Sequence, residues 1–430
     1  MQRDFQELRD GRSFDMSDYK VIVAHPGQQH SFRVAGALKK EGLLFKYITA
    51  VYDKPNVVMK LAHGLVRGKD TGKIKNRRCG ELDDEDVILY DTLLSLAVIV
   101  LSRKSRTRKL SYWLDRKIAD AFGKKVAKYA VKNKVDAVIC FSMNETVCFE
   151  YLRKHAPEMK RIVDCANAPV DYMRQIYELD MERTGSPVLK TEAAAFWDVK
   201  ELYKQQKGID ATGHFLAPSE FVKKGLVFCG AEKNFVHILH YGANFTPVAA
   251  PQKEIGQVRF IYVGQVTYRK GLHDLLKVFS ELADEGVFLD VVGAWKSPSD
   301  LYQRYKNCEN ITFHGNVVHE KVQELMLASN VFVFASLTEG FSLSCLEALS
   351  CGLPVICSRN SGANDIIEEG VNGFTFEAGD TEALKRYVLF FQNNPEKIAE
   401  FSGNAIASAK KNTWLAYGKN LEKIVRDILK

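Results

Sequence analysis

The sequence contains no Cys-x-x-Cys pair and no histidines at zinc-module spacing, which excludes the common structural zinc folds. Its nine cysteines, at positions 79, 140, 148, 165, 229, 308, 345, 351 and 357, are scattered, and several sit inside apolar runs. They are expected to be buried free thiols of a protein in a reducing cytosol. Proline is sparse at 11 in 430 residues and no low-complexity tract is present, so large-scale disorder is not expected. Residues 1–18 are polar and lack an apolar core, so no secretory leader is expected there. No G-x-G-x-x-G follows the first apolar run. The chain has His25-Pro26-Gly27-Gln28-Gln29-His30 at that point, which sets aside a nicotinamide-dependent oxidoreductase.

What is present is a chain long enough for two domains. Tyr19-Lys20-Val21-Ile22-Val23-Ala24 reads as a strand, followed by the turn at Gly27 and a helix over Ser31–Glu41 with Phe32, Ala35 and Leu38 at helical spacing. Residues 136–141 and 161–165 read as further buried parallel strands. The periodicity stops around Asn244–Gln252, where Pro247 and Pro251 fall close together, and this marks the expected domain boundary. Beyond it, apolar runs at 260–264, 288–293, 311–315, 331–335 and 354–357 alternate with helical segments. Both halves are therefore expected to be doubly wound, Rossmann-like α/β domains facing a cleft, with ligands at the carboxyl ends of the strands. The expected division is a polar tail at 1–18, one domain at 19–245, a second at 255–408, and a terminal helix at 409–430. Trp414, Tyr417 and Leu421 lie at helical spacing on one face of that helix, either a face that docks back on the first domain or an ordinary core stripe of the second.

Charge is uneven. Residues 54–134 hold 20 Lys/Arg against 9 Asp/Glu, while the remainder of this +7 chain is net acidic. The apolar run Leu93–Leu101 lies in this region, directly before Arg103-Lys104-Ser105-Arg106-Thr107-Arg108-Lys109. Nine residues are too few to span a bilayer. Region 93–134 can instead rest on an anionic membrane surface or be an ordinary core helix with a solvated basic end. Without interleaved aromatic platforms, nucleic acid is not an expected partner.

The stretch most informative about chemistry is Thr338-Glu339-Gly340-Phe341-Ser342-Leu343-Ser344-Cys345-Leu346-Glu347, running on to Gly352 and Pro354. It leaves a buried strand, enters a loop at Glu339, starts a helix near Ser342 and ends it at Gly352. The amides of Gly340 to Leu343 at that helix start form an anion site suited to a diphosphate. Glu339 can accept from sugar hydroxyls and Glu347 can reach a ribose. Ser344 and Glu347 also have capping-box spacing, a purely structural alternative for Glu347 that leaves Glu339-Gly340 unexplained.

Glu339 and Glu347 form an E-x7-E pair that resembles the signature of family 4 retaining glycosyltransferases of the GT-B fold. The likeness extends over Val263-Gly264 to Lys270-Gly271, Phe313 to Val317, Gly370 to Phe374, Leu216 to Val222 and Tyr241 to Asn244. It implies a donor nucleotide-diphosphate sugar, UDP or GDP, with no cofactor and no metal, because a basic pair neutralises the departing diphosphate. On this resemblance Glu339, Arg269 and Lys270 are the catalytic residues. Gly27, Gly264, Gln265, Asn316, Val317, Gly340, Phe341, Ser342, Leu343 and Glu347 bind the donor, with Asn316-Val317-Val318 cradling the base. Gln265 stands where the family usually has arginine, so Arg269 is expected to supply the charge. Gln28, Gln29, His30 and Asn167 are expected at the acceptor, with Asn167 or His25 in place of a histidine common in the family. The resemblance further implies a glycan or lipid-linked glycan acceptor, as in bacterial surface polysaccharide assembly, and a cytoplasmic protein peripheral to the inner membrane face. The alternative is a catalytically inactive sugar-nucleotide-binding scaffold.

Overall fold

The computed structural model describes residues 19–27, 30–54, 77–102, 108–243, 257–295 and 299–430. Two parallel sheets organise the chain. The first holds β1 (Val21–His25), β2 (Leu44–Thr49), β3 (Val87–Leu89), β4 (Ala137–Phe141), β5 (Lys160–Asp164), β6 (His214–Ala217) and β7 (Val236–Ile238), in the order β3-β2-β1-β4-β5-β6-β7. The second holds β8 (Val258–Val263), β9 (Val287–Val292), β10 (Ile311–Gly315), β11 (Val331–Phe334), β12 (Val355–Ser358) and β13 (Gly373–Phe376), in the order β10-β9-β8-β11-β12-β13. Every residue of β1, β4, β11 and β12 is buried, as expected for strands covered by helices on both faces.

The helices between these strands follow the apolar spacing. They are α1 (Ser31–Lys40), α2 (Thr92–Ser102), α3 (Arg108–Asn133), α4 (Thr146–His155), α5 (Val170–Thr184), α6 (Val188–Glu192), α7 (Val199–Ala211) and α8 (Glu220–Phe228). The series continues with α9 (Leu272–Glu281), α10 (Asp300–Tyr305), α11 (His319–Ala328), α12 (Leu343–Ser350), α13 (Thr381–Asn393), α14 (Lys397–Lys411) and α15 (Trp414–Leu429). In α9 the residues at i, i+3, i+4 and i+7 (Leu272, Leu275, Leu276, Phe279) are fully buried, the stripe that seats a helix on a sheet.

In each sheet the strand order reverses once, at β1/β4 and at β8/β11, and loops leaving the carboxyl ends of such a strand pair are where doubly wound folds bind ligands. The expected α/β class with two doubly wound sheets is present.

The contacts divide the chain into two compact units. One comprises residues up to Cys140 with Val147–Ile162 and Leu421–Lys430; the other comprises Phe141–Thr146 and Val163–Asn420. The break expected near 244–252 falls outside the described residues from 244 onward, and the tail at 1–18 lies outside them too. The terminal helix begins at Trp414, because residues 409–411 still belong to α14. Tyr417 and Leu421 are buried, whereas Trp414 is only half-buried. All nine cysteines are free; Cys79, Cys229 and Cys308 are half-buried rather than buried.

Candidate active site

Two loops of the second sheet meet at its reversal point. The first leaves β8 through Gly264 and Gln265 and forms a tight turn at Tyr268–Lys270, closed by Gly271. Gly271 has φ +67°, and a Cβ there would lie 1.8 Å from the Ala335 carbonyl oxygen, so only glycine lets the turn approach the end of β11. The second loop leaves β11 and runs through Thr338 to Ser342. The two are tied where the Leu337 amide donates to the Arg269 carbonyl at 3.1 Å. The consequence is an ion pair between Lys270 and Glu339, whose side chains are only 17% and 20% exposed, with the Lys270 ammonium 5.6 Å from the Phe334 ring centroid. Burial, and secondarily the Arg269 guanidinium, pull the Lys270 ammonium down to about 8, so it is charged at neutral pH and loses its proton just above. Arg269 is half-buried and its charge acts on the Tyr177 hydroxyl, which meets the Thr338 hydroxyl at 2.5 Å. Arg269 and Lys270 therefore lie side by side, while Gln265 is exposed.

Helix α12 starts where its sequence says it should. Ser342 is the N-cap, with its hydroxyl accepting from the Cys345 amide, so Ser344 is not the cap and the Ser344–Glu347 capping box does not form. The helix stops at Gly352, with φ +72°. Not all the amides expected to face a donor are available. The Gly340 amide donates to Asn167 Oδ1 at 3.1 Å and the Ser342 amide to the Ser361 carbonyl at 3.2 Å. A Cβ on Gly340 would lie 1.8 Å from the Ala166 carbonyl, so Gly340 packs against this backbone, and the Asn167 side chain ties the loop through the Gly340 amide. Among the described residues the Phe341, Leu343 and Ser344 amides have no acceptor, and the last two open the helix N-terminus.

Glu347 lies one turn further along α12 and lines a cavity of about 400 Å³ together with Leu343, His319, Gln323, Met326 and Trp414. Burial raises its carboxyl pKa, and the nearby His319 opposes the shift. The segment before His319 places Asn316 and Val318 at the surface and leaves Val317 half-buried.

In the first sheet, Gly27 turns its amide onto His25 Nδ1 at 2.8 Å, and its carbonyl accepts from the Thr49 hydroxyl at 3.2 Å. His25 is thus a buried support for the turn after β1. His30 stands at the start of α1 without capping it, and Gln28 and Gln29 lie outside the described residues.

One group among the described residues has the spacing of a cation site, namely Asp180, His273 and Asp274. Arg183 already bonds both carboxylates, at 2.5 Å to Asp180 and 2.8 Å to Asp274, so a guanidinium supplies the positive charge there. The cluster holds α5 against α9.

Sequence reasoning missed Glu192, whose carboxylate accepts from the Tyr268 and Arg269 amides, 3.2 Å each. The separation of 76 and 77 residues leaves no local signal from which the contact could be read.

Comparison with known proteins bears on the same segment of the chain. Residues 249–408, which contain both loops and Glu347, match the family described as Glycosyl transferases group 1. The chain is similar to an uncharacterized glycosyltransferase of Methanocaldococcus jannaschii (29% identical over 182 residues, 40% of this chain and 46% of the relative). It is also similar to the O-antigen chain mannosyltransferase B of Escherichia coli (27% over 179 residues, 40% and 46%). The match thus spans a little under half of these relatives' length. The fold is that of GT-B glycosyltransferases: the apo lipopolysaccharide outer core galactosyltransferase WaaB superposes with a TM-score of 0.63 at 15% identity, covering 95% of this chain and 99% of that one.

Proposed function

We propose that the protein is a retaining, metal-independent glycosyltransferase that moves a hexosyl group from a UDP- or GDP-sugar to a glycan or lipid-linked glycan in surface polysaccharide assembly. The observation that carries the reading is the convergence, at the β8/β11 reversal, of the Lys270–Glu339 pair, Arg269 and the open amides of Leu343 and Ser344. Glu347 and its cavity lie one helical turn away, with room for a nucleoside. Lys270, Arg269 and the helix amides would hold the diphosphate and stabilise its charge as it departs. Glu347 would accept from the ribose hydroxyls and Glu339 from the donor sugar. With Glu339 committed to the sugar hydroxyls, the acceptor oxygen would bond the anomeric carbon on the face from which the phosphate oxygen leaves. The acceptor proton would pass to that phosphate oxygen. Catalysis then rests on positioning and on the fixed charges.

A membrane-held acceptor is supported by the helical pair α2–α3. Leu93, Leu94, Leu110 and Trp113 are each more than half exposed, Lys117 lies 6.0 Å from the Trp113 ring centroid, and Lys124 and Lys128 continue the same exposed face of α3. Apolar side chains flanked by lysines suit an anionic headgroup surface. Among the described residues no helix is long and apolar enough to cross a membrane. Cosedimentation with vesicles containing phosphatidylglycerol at low salt tests this: wild type should pellet and Trp113→Ala with Leu110→Ser should not. Equal pelleting of both rejects this face.

The enzymatic reading is tested by release of UDP or GDP from a panel of their sugars in EDTA. Turnover by wild type, lost in Glu339→Gln, supports it. Tight donor binding with no release under any acceptor condition would favour the inactive scaffold.

A further inference from the structure

We infer that Glu192, at the end of α6, is a positioning residue that sets the diphosphate-binding turn at Tyr268–Lys270; the inference rests on the donor-site reading above. The turn has a weak start of its own. Thr267, its N-cap, makes no side-chain cap, and among the described residues the buried Thr267 hydroxyl has no partner. The first two amides of the turn, those of Tyr268 and Arg269, are instead taken by the two oxygens of Glu192, one each, at 3.2 Å. Glu192 is the last residue of its own helix, where the helix dipole disfavours a carboxylate, so the amides of the turn supply the favourable field that α6 does not.

What the turn carries gives this contact its consequence. The next residue, Lys270, pairs with Glu339, and the Arg269 carbonyl accepts from Leu337 on the opposite loop. Glu192 therefore fixes the register of both cations against the Glu339 loop without itself facing the ligand. Being exposed, it also places a negative charge near the diphosphate, so an electrostatic and a positioning role predict opposite outcomes when it is removed. Removing charge alone tightens binding of an anion, whereas removing the cap loosens it.

The experiment compares wild type, Glu192→Ala and Glu192→Gln for binding of UDP against UMP and GDP against GMP in EDTA, alongside hydrogen exchange of a peptide spanning 266–272. Glu192→Ala should weaken the diphosphate by about five- to tenfold, as expected for charge-assisted hydrogen bonds that water partly replaces, and leave the monophosphate unchanged. Glu192→Gln, which keeps one acceptor, should recover most of the loss, and exchange at 266–272 should quicken in the alanine variant only. Equal weakening of mono- and diphosphate, tighter diphosphate binding in Glu192→Ala, or unchanged exchange would each overturn the inference. If wild type binds neither diphosphate, the donor reading fails, and the exchange result alone decides whether Glu192 holds the turn.

Discussion

Replacing Lys270 by methionine separates what the Lys270–Glu339 pair does for the fold from what it does for the ligand. Both side chains are about four-fifths buried, so the variant strands a carboxylate in a largely desolvated place. Breaking one side of a buried pair costs ~3–5 kcal/mol, and the remaining exposure brings the expected stability loss to about 2–3 kcal/mol. The same substitution removes a fixed cation from the diphosphate. Truncating one partner of such a contact costs ~2–5 kcal/mol, and a value of about 3 kcal/mol corresponds to roughly 150-fold in Kd. Lys270→Met/Glu339→Gln removes both charges, so it should recover most of the stability and none of the diphosphate affinity. Urea unfolding and calorimetric titration of UDP and GDP in EDTA read the two quantities. The reasoning is refuted if Lys270→Met binds within threefold of wild type, or if the double variant regains affinity together with stability.

Two further outcomes follow from the same geometry. Burial holds the Lys270 ammonium near 8 in the free protein, and a bound diphosphate favours its charged form. Diphosphate affinity should therefore be flat below about pH 8 and fall by up to tenfold per pH unit above it, a slope absent in Lys270→Met. The folded-state pKa lies below the ordinary value of 10.5, so the unfolded chain binds more protons between these values, and the free protein's stability rises with pH across that window. Gly271→Ala forces a side chain onto the Ala335 carbonyl at positive φ; it should lower the urea midpoint by the equivalent of about 2–4 kcal/mol and weaken diphosphate binding, and a midpoint unchanged from wild type would contradict the close approach of the two loops.

Much of this arrangement is legible in the sequence because it is local. The strand runs at 258–263 and 331–334 are written in β-branched and aromatic residues, and the start and stop of α12 are written in Ser342 and Gly352. Strand order then brings Lys270 to Glu339 by topology alone. What the sequence does not reveal are contacts made across long separations by residues without a distinctive neighbourhood. Asn167 looks like a free polar side chain after β5, but its carbonyl takes the Gly340 amide 173 residues away. Gly340 looks like a loop glycine offering an amide, and its lack of a side chain instead serves contact with Ala166. His25 looks like a candidate ligand contact and is a support for Gly27. In each case a backbone amide had two possible acceptors, the ligand or the protein, and only three-dimensional proximity decides between them.

The account's central claim is that one nucleotide diphosphate binds between the Lys270 turn, the start of α12 and Glu347. The most direct measurement is a titration of wild type and Glu347→Ala with UDP, GDP, ADP and dTDP in EDTA. The account predicts micromolar binding of one nucleotide by wild type and a loss of at least tenfold in Glu347→Ala, the cost of about 1.4 kcal/mol of hydrogen bonding to the ribose. No binding of any of the four to the folded protein, or equal affinity in the variant, would contradict it.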